Sequence, residues 1–203
     1  MRKGFTLIEM LVVIGIIGIL VAAGLGGYSQ MIRNAEKTRC QELVQNTATA
    51  LTALFNDKGC WPKSLLRDGQ SDGELDERAA YPLAKGGYMS LSSNDGKLAG
   101  YDKFGIVSPW AAAVIKNLGS SASLYSKVPG GGTIKDHILH YALDLDGDGI
   151  IEGANVGGET IKVRATVIVW SCGKDGKVER YSRGLKGGDD IYSWTYGQTQ
   201  NVK

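Results

Sequence analysis

The chain has 203 residues, with 23 basic and 21 acidic side chains and a formal net charge of +2, so it carries no polyelectrolyte signature for nucleic acid. Its 29 glycines against four prolines point to many tight turns, while four tryptophans and nine tyrosines supply core material. No fixed-period repeat and no dividing linker is present, so the roughly 175 residues beyond the first apolar run read as one globular domain.

Arg2 and Lys3 precede Gly4, and from Phe5 to Gly27 only Thr6 and Glu9 are clearly polar apart from glycines. A helix over those residues would be about 34 Å long at 1.5 Å per residue, enough for a hydrocarbon core of about 30 Å. The two leading cations orient it with the N-terminus cytoplasmic and the remainder outside. A cleaved secretory signal peptide, with Ala22-Ala23-Gly24 as its cleavage site, is the competing reading, but it gives no role to Glu9. An ionised acid at membrane depth is costly and usually has a partner. In an assembly, that partner could be the amino group freed on a neighbouring Phe5 by cutting after Gly4. A tolerated interfacial acid is the plainer alternative.

Tyr28 to about Asp57 continues the helix with a new pattern. Cys40, Leu43, Val44, Thr47, Ala48, Leu51, Leu54 and Phe55 recur at three- and four-residue spacing, an apolar stripe suited to packing on a sheet. Gln30, Arg33, Lys37, Gln41 and Gln45 fall mostly elsewhere. Lys58-Gly59 is a natural stop, and Trp61-Pro62 sets the exit direction. From Pro62 to Lys135 the pattern is poor: Asp68-Gly69, Asp72-Gly73, Lys85-Gly86-Gly87 and Asn94-Asp95-Gly96 read as turns. A short helix fits Pro109 to Leu118, ending at Gly119. Strands fit Ile138 to Leu143, Ile161 to Ser171 and Lys177 to Ser182. A helix followed by antiparallel strands predicts an α+β fold: a long N-terminal helix on a small antiparallel sheet with long loops.

Asp144-Leu145-Asp146-Gly147-Asp148-Gly149-Ile150 places three aspartates at alternate positions, a turn-forming glycine, and a backbone carbonyl at Ile150. That is the first half of an EF-hand-type calcium loop, with hard oxygen ligands unsuited to zinc or copper. Its second half departs, because Glu152 holds the ninth position and Asn155 the twelfth, where a glutamate is expected. An ordinary Asp-Gly turn is the alternative.

Three cysteines in an exported domain leave one unpaired or one intermolecular. Cys40 and Cys60 are kept about 30 Å apart by an intact helix. Cys60 with Cys172 would tie the helix exit to the sheet, and three reduced thiols are the other reading. No catalytic signature is present: there is no G-x-S-x-G or H-E-x-x-H motif and no phosphate-cradling loop. His137 and His140, three apart in an expected strand, would point to opposite faces. A membrane-anchored hydrolase is therefore the remote reading, and no enzyme is expected.

Gly4-Phe5-Thr6-Leu7-Ile8-Glu9 and the apolar run after it resemble the class III signal of type IV pilins and type II secretion pseudopilins. The resemblance implies a leader over residues 1–4, cleavage between Gly4 and Phe5 by a prepilin peptidase, and N-methylation of Phe5. It implies a transmembrane and assembly helix over residues 5–27 and a periplasmic or extracellular head over residues 28–203. The chain would be stored single-pass in the bacterial inner membrane, among lipid, then built as a homo-oligomer into a helical filament by an inner-membrane platform with minor pseudopilins or pilins. Many pilins kink this helix with a proline, whereas the first proline here is Pro62. Ala22-x-x-x-Gly26 and Ala23-x-x-x-Gly27 offer small-residue faces for close packing.

The C-terminal region is similar to that of the major pseudopilin. Ser171-Cys172-Gly173-Lys174-Asp175-Gly176 matches that family's S-x-G-x-D-G turn, and Asp189-Asp190-Ile191 lies before Trp194 as its later acidic segment does. This implies a structural calcium ion held by Asp175, Asp189 and Asp190; the loop of Asp144, Asp146, Asp148 and Ile150, read from its own spacing, would be a second site. Gly59-Cys60-Trp61-Pro62 echoes the family's helix exit, and Ser108-Pro109-Trp110 only partly echoes its D-P-W turn. A type II secretion pseudopilus subunit is the reading, with a type IV pilus subunit for adhesion, motility or DNA uptake as the alternative.

Overall fold

The computed structural model describes residues 6–66, 72–89, 104–179, 181, 188–194 and 199–200, with the backbone alone at 23–27, 29 and 199–200. The fold is α+β and pilin-like. The chain divides into two compact units, Met1–Thr38 and Arg39–Lys203, and helix α1 (Leu7–Lys58) begins in the first and ends in the second.

In the second unit the stripe read from the sequence is the buried face of α1. Cys40, Val44, Thr47, Ala48, Leu51 and Leu54 are buried, Leu43 and Phe55 pack beside them, and Gln41 and Gln45 stay exposed. Ala50, outside the expected stripe, is buried as well. The helix stops where expected, with the Gly59 amide donating to the Phe55 carbonyl at 2.8 Å. The Trp61 ring then stacks on Phe55 at 4.5 Å.

Helix α2 (Glu77–Lys85) was not legible in the sequence, because Pro82 sits in its interior. An interior proline removes a backbone donor and clashes with the preceding turn, at about 3 kcal/mol. The helix forms because Asp76 caps it, accepting from the Ala79 amide at 3.0 Å, and because Ala79, Ala80 and Leu83 are buried in the core. Helix α3 (Pro109–Leu118) has the limits its Pro109 start and Gly119 stop predict.

Among the described residues, seven strands form two antiparallel sheets: β1 (Asp72–Glu74), β2 (His140–Leu143), β5 (Val167–Ser171) and β6 (Ile191–Tyr192) in the order β1-β2-β5-β6, and β3 (Ile151–Val156), β4 (Glu159–Val163) and β7 (Thr199–Gln200) in sequence order. The expected strand over 161–171 is two strands, β4 and β5, one in each sheet. All five residues of β5 are buried, so both of its faces are covered. Val167 and Val169 join the core beneath the helices, while Ile168 and Trp170 join a second core with Ile151, Ala154, Val156, Ile161 and Val163 of the other sheet. A strand covered on both faces reads as a continuous apolar run. Asp72-Gly73, read as a turn, lies in β1, and residues 177–179 form no strand. The turns expected at Asp68-Gly69 and Asn94-Asp95-Gly96 lie outside the described residues.

The loop carrying Gly130-Gly131-Gly132 packs on the 173–176 turn. A Cβ on Gly131, at φ +147°, would meet the Asp175 carbonyl oxygen at 2.5 Å, so the close approach requires glycine there.

Candidate functional site

Gly4 and Phe5, the expected cleavage and methylation positions, lie outside the described residues. Thr6 begins the description and makes a reciprocal cap with Glu9. The Glu9 carboxylate accepts from the Thr6 amide and hydroxyl, both at 2.8 Å, and the Thr6 hydroxyl accepts from the Glu9 amide at 3.3 Å. This is the T-x-x-E capping box, a role for Glu9 that is separate from charge pairing with a neighbouring chain. Beyond it every described side chain to Ala22 is exposed, among them Leu7 at 83%, Ile8 at 71% and Ile19 at 71%. Isolated soluble domains do not carry apolar surface of that extent without something to cover it. Among the described residues, however, no helix is long and apolar enough to cross a membrane. The span expected over 5–27 also draws on Phe5 and on the side chains of 23–27, which are not described.

The acidic loop between β2 and β3 takes the shape expected for its first half. Asp144, 3% exposed, accepts from the Gly147 and Gly149 amides at 2.8 Å each, and Asp148 accepts from the Ile150 amide at 2.7 Å. Gly147 permits the fold-back at φ +76°. One carboxylate oxygen from each of Asp144, Asp146 and Asp148 lies within 4.8 Å of the others, close enough to share a cation. Ile150 lines a cavity of about 180 Å³ with Asp146 and Glu152. The second half is replaced by β3. Glu152 pairs with Lys162 of β4, and Asn155 accepts from the Gly158 amide at 2.9 Å in the hairpin turn, so neither closes the loop on a metal.

The other acidic set is dispersed. Asp175 accepts from the Lys177 amide at 2.9 Å, while Asp189 accepts from the amides of Lys174 at 2.6 Å and Asp175 at 3.1 Å. Asp190 accepts from the Glu179 amide at 2.9 Å and the Tyr192 hydroxyl at 3.1 Å. Among the described residues only the 144, 146 and 148 carboxylates converge as a group of three, so the joint site expected from Asp175, Asp189 and Asp190 is not assembled by their side chains. Backbone amides satisfy these acids instead. One atom is left over: Oδ1 of Asp190, buried without a hydrogen-bond partner in a residue 7% exposed. Burial pushes this carboxyl up to about 7, against the hydrogen bonds from Glu179 and Tyr192 that favour its charge. A buried acceptor with no donor suits a cation, which makes Asp190 the one member of this set whose surroundings fit calcium.

The Cys60–Cys172 disulfide is not formed: all three cysteines are free, Cys60 exposed and Cys40 and Cys172 buried. The physical reason lies in the helix exit, where Trp61 rather than Cys60 turns inward. Burial pushes the Cys40 thiol up to about 11, opposed by the neighbouring Ser171 hydroxyl, and raises Cys172 further, with Asp190 next in effect. The histidines give no active site. His137 lies in a short turn, its Nδ1 3.0 Å from the Ser108 hydroxyl and its Nε2 3.1 Å from the Gly131 carbonyl. Ser108 is 0% and His137 1% exposed, so this serine–histidine pair is closed to any substrate and serves packing. His140, in β2, stacks on Trp170 at 5.3 Å.

Residues 1–25 match the family model for the prokaryotic N-terminal methylation motif. Among curated proteins, the chain is 39% identical over 61 residues to a fimbrial protein, EcpC, of Eikenella corrodens, covering 30% of this chain and 40% of that one. It is 38% identical over 63 residues to the type IV major pilin PilE of Neisseria gonorrhoeae, covering 31% and 38% of the two chains. It is 45% identical over 58 residues to the type IV major alpha-pilin of Moraxella bovis, covering 28% and 36%. The matched part spans only about two fifths of each relative or less. No solved structure matches the chain. Beside an N-terminal methylation motif, the chain is thus similar to type IV pilins over about a third of its length.

Proposed function

We propose that the chain is a structural, non-catalytic subunit of a type II secretion pseudopilus or type IV pilus-like filament. A prepilin peptidase removes residues 1–4, Phe5 is N-methylated, and the subunit waits single-pass in the inner membrane with its head in the periplasm. An assembly platform then moves it into a homo-oligomeric filament, with minor pseudopilins or pilins as further partners. The observation that carries this reading is the processing motif followed by a helix exposed and apolar on every side. Packed against copies of itself, the same surface would be buried at a gain of roughly 25 cal/mol per Å². Mass spectrometry of assembled material tests it. A mature chain beginning at N-methylated Phe5 is expected, and filaments whose subunits still begin at Met1 would overturn it.

Within that family the pseudopilus reading draws on the C-terminal S-x-G-x-D-G turn, and the pilus alternative on the relatives' names. Deleting the protein separates them. Loss of secreted enzymes with surface filaments intact favours the pseudopilus; the reverse favours the pilus.

Calcium is the proposed cofactor, and the observation favouring it is the convergence of Asp144, Asp146 and Asp148. Those carboxylates and the Ile150 carbonyl would hold the ion, with Asp190 a lone ligand elsewhere. Bound calcium would supply positive charge to the loop and brace the head. Elemental analysis of protein dialysed against calcium tests it, and less than one ion per chain overturns it.

A further inference from the structure

The C-terminal ends of α1 and α2 enclose a solvent-open groove of about 520 Å³, within the size range of ligand sites, that neither processing nor assembly through the N-terminal helix employs. Its floor and walls are apolar and aromatic: Leu54, Pro62, Tyr81, Pro82 and Tyr88. The walls are fixed in advance. The Tyr88 hydroxyl bonds to Asp57, and a Cβ on Gly86 would lie 2.3 Å from the Tyr88 ring, so that ring rests directly on the glycine. Pro82 is only half-buried although it costs α2 a backbone donor, so core packing does not account for it. A residue that breaks a local rule without a packing return is a pointer to function.

Two cations, Lys58 and Lys85, complete the lining. The Lys85 ammonium stands 5.4 Å from the Tyr81 ring centroid, held at the rim by the face of the ring. Lys58 lies 4.0 Å from Asp57, whose carboxylate also accepts from Tyr88. An apolar trough with ammonium groups along its edge is complementary to an apolar side chain flanked by carboxylates. We propose that this groove docks a partner polypeptide through a short acidic segment bearing a leucine or an aromatic residue. The apolar side chain would fill the space between Tyr81 and Tyr88, and the flanking acids would reach Lys58 and Lys85.

Cys60 lines the same groove and is exposed, whereas Cys40 and Cys172 are buried, so maleimide alkylation of the intact detergent-solubilised chain reports on the groove alone. A Cys60→Ser chain, which should not react, checks that assignment. The probes are acetyl-Glu-Leu-Phe-Glu-amide and its neutral counterpart acetyl-Gln-Leu-Phe-Gln-amide. The acidic peptide should slow alkylation saturably, at about tenfold lower concentration than the neutral one. The double variant Lys58→Gln, Lys85→Gln should bring the two to the same concentration, with its melting temperature unchanged because both lysines are exposed. Equal protection by both peptides in the unaltered chain overturns the proposal, as does no protection by either. Protection that grows with protein concentration and without peptide overturns it in favour of a second copy as the occupant. None of these outcomes depends on whether the chain forms filaments.

Discussion

The indole nitrogen of Trp61 donates to the carbonyl oxygen of Asp144 at 2.6 Å, a buried bond between residues 83 positions apart. It joins the exit of α1 to the first residue of the acidic loop. Trp61→Phe keeps an aromatic ring against Phe55 and leaves the Asp144 carbonyl without its donor. The expected loss is about 1–3 kcal/mol, the cost of an unsatisfied buried polar group. Urea unfolding should show a lower midpoint with an unchanged slope, and an unchanged midpoint would mean the bond contributes nothing.

Calcium bound only to the folded state stabilises by about 2.7 kcal/mol at a hundredfold excess over its dissociation constant. The protein should therefore melt higher in calcium than in chelator, and Asp146→Ala should remove most of that difference. Asp146 is the informative position because it is exposed and no hydrogen bond among the described residues holds it in place of a metal, whereas Asp144 also accepts from Gly147 and Gly149. Asp175→Ala should leave the difference intact, since its carboxylate is engaged with the Lys177 amide. Equal melting of the unaltered chain in calcium and chelator would reduce the loop to a turn.

Helices α1 and α3 were legible because their signals are local. The α1 stripe, the Gly59 stop and the Pro109 and Gly119 limits of α3 each depend on neighbours within one or two turns. What failed depends on the other side of the molecule. Whether 161–171 is one strand or two is decided by a second sheet that covers Ile168 and Trp170, and no alternation within the segment reports that. Helix α2 was hidden because Pro82 speaks against a helix locally, while burial of Ala79, Ala80 and Leu83 outweighs it. The candidate site divides in the same way. Asp144, Asp146 and Asp148 sit within five residues, so their spacing alone brings them together. Asp175, Asp189 and Asp190 are brought near one another only by the turn and β6, and backbone amides there take up the carboxylates. The Thr6–Glu9 cap is local as well, since the donors nearest to the Glu9 carboxylate are the amide and hydroxyl of a residue three positions earlier.

That cap sharpens the expectation for Glu9. In the single subunit its carboxylate already has the Thr6 amide and hydroxyl as donors. Glu9→Gln preserves much of the capping geometry and removes the charge, whereas Glu9→Ala removes both. If assembly needs the charge to meet a neighbouring Phe5 amine, both variants should reach the membrane in normal amount and neither should form filaments. If only the cap matters, Glu9→Gln should assemble and Glu9→Ala should not. Counting filaments by electron microscopy beside membrane fractionation decides between them.

Asp190 gives the head a pH dependence of a defined sign. Its carboxyl is raised from an ordinary 3.8 to about 7, mainly by burial. Below pH about 4 the group is protonated folded and unfolded, and it contributes no penalty. Between about 4 and 7 the unfolded chain releases the proton while the folded chain retains it, so stability falls as pH rises. Above about 7 both forms are ionised and the penalty is constant. In chelator, Asp190→Asn should flatten the fall between pH 4 and 7 and melt higher than the unaltered chain at pH 8. Calcium held at Oδ1 would favour the charged form and reverse the order, so the same pair of melting curves repeated in calcium reads out whether Asp190 is a ligand. Identical slopes for the two chains in chelator would show that the buried carboxylate is satisfied in the folded head without any cation.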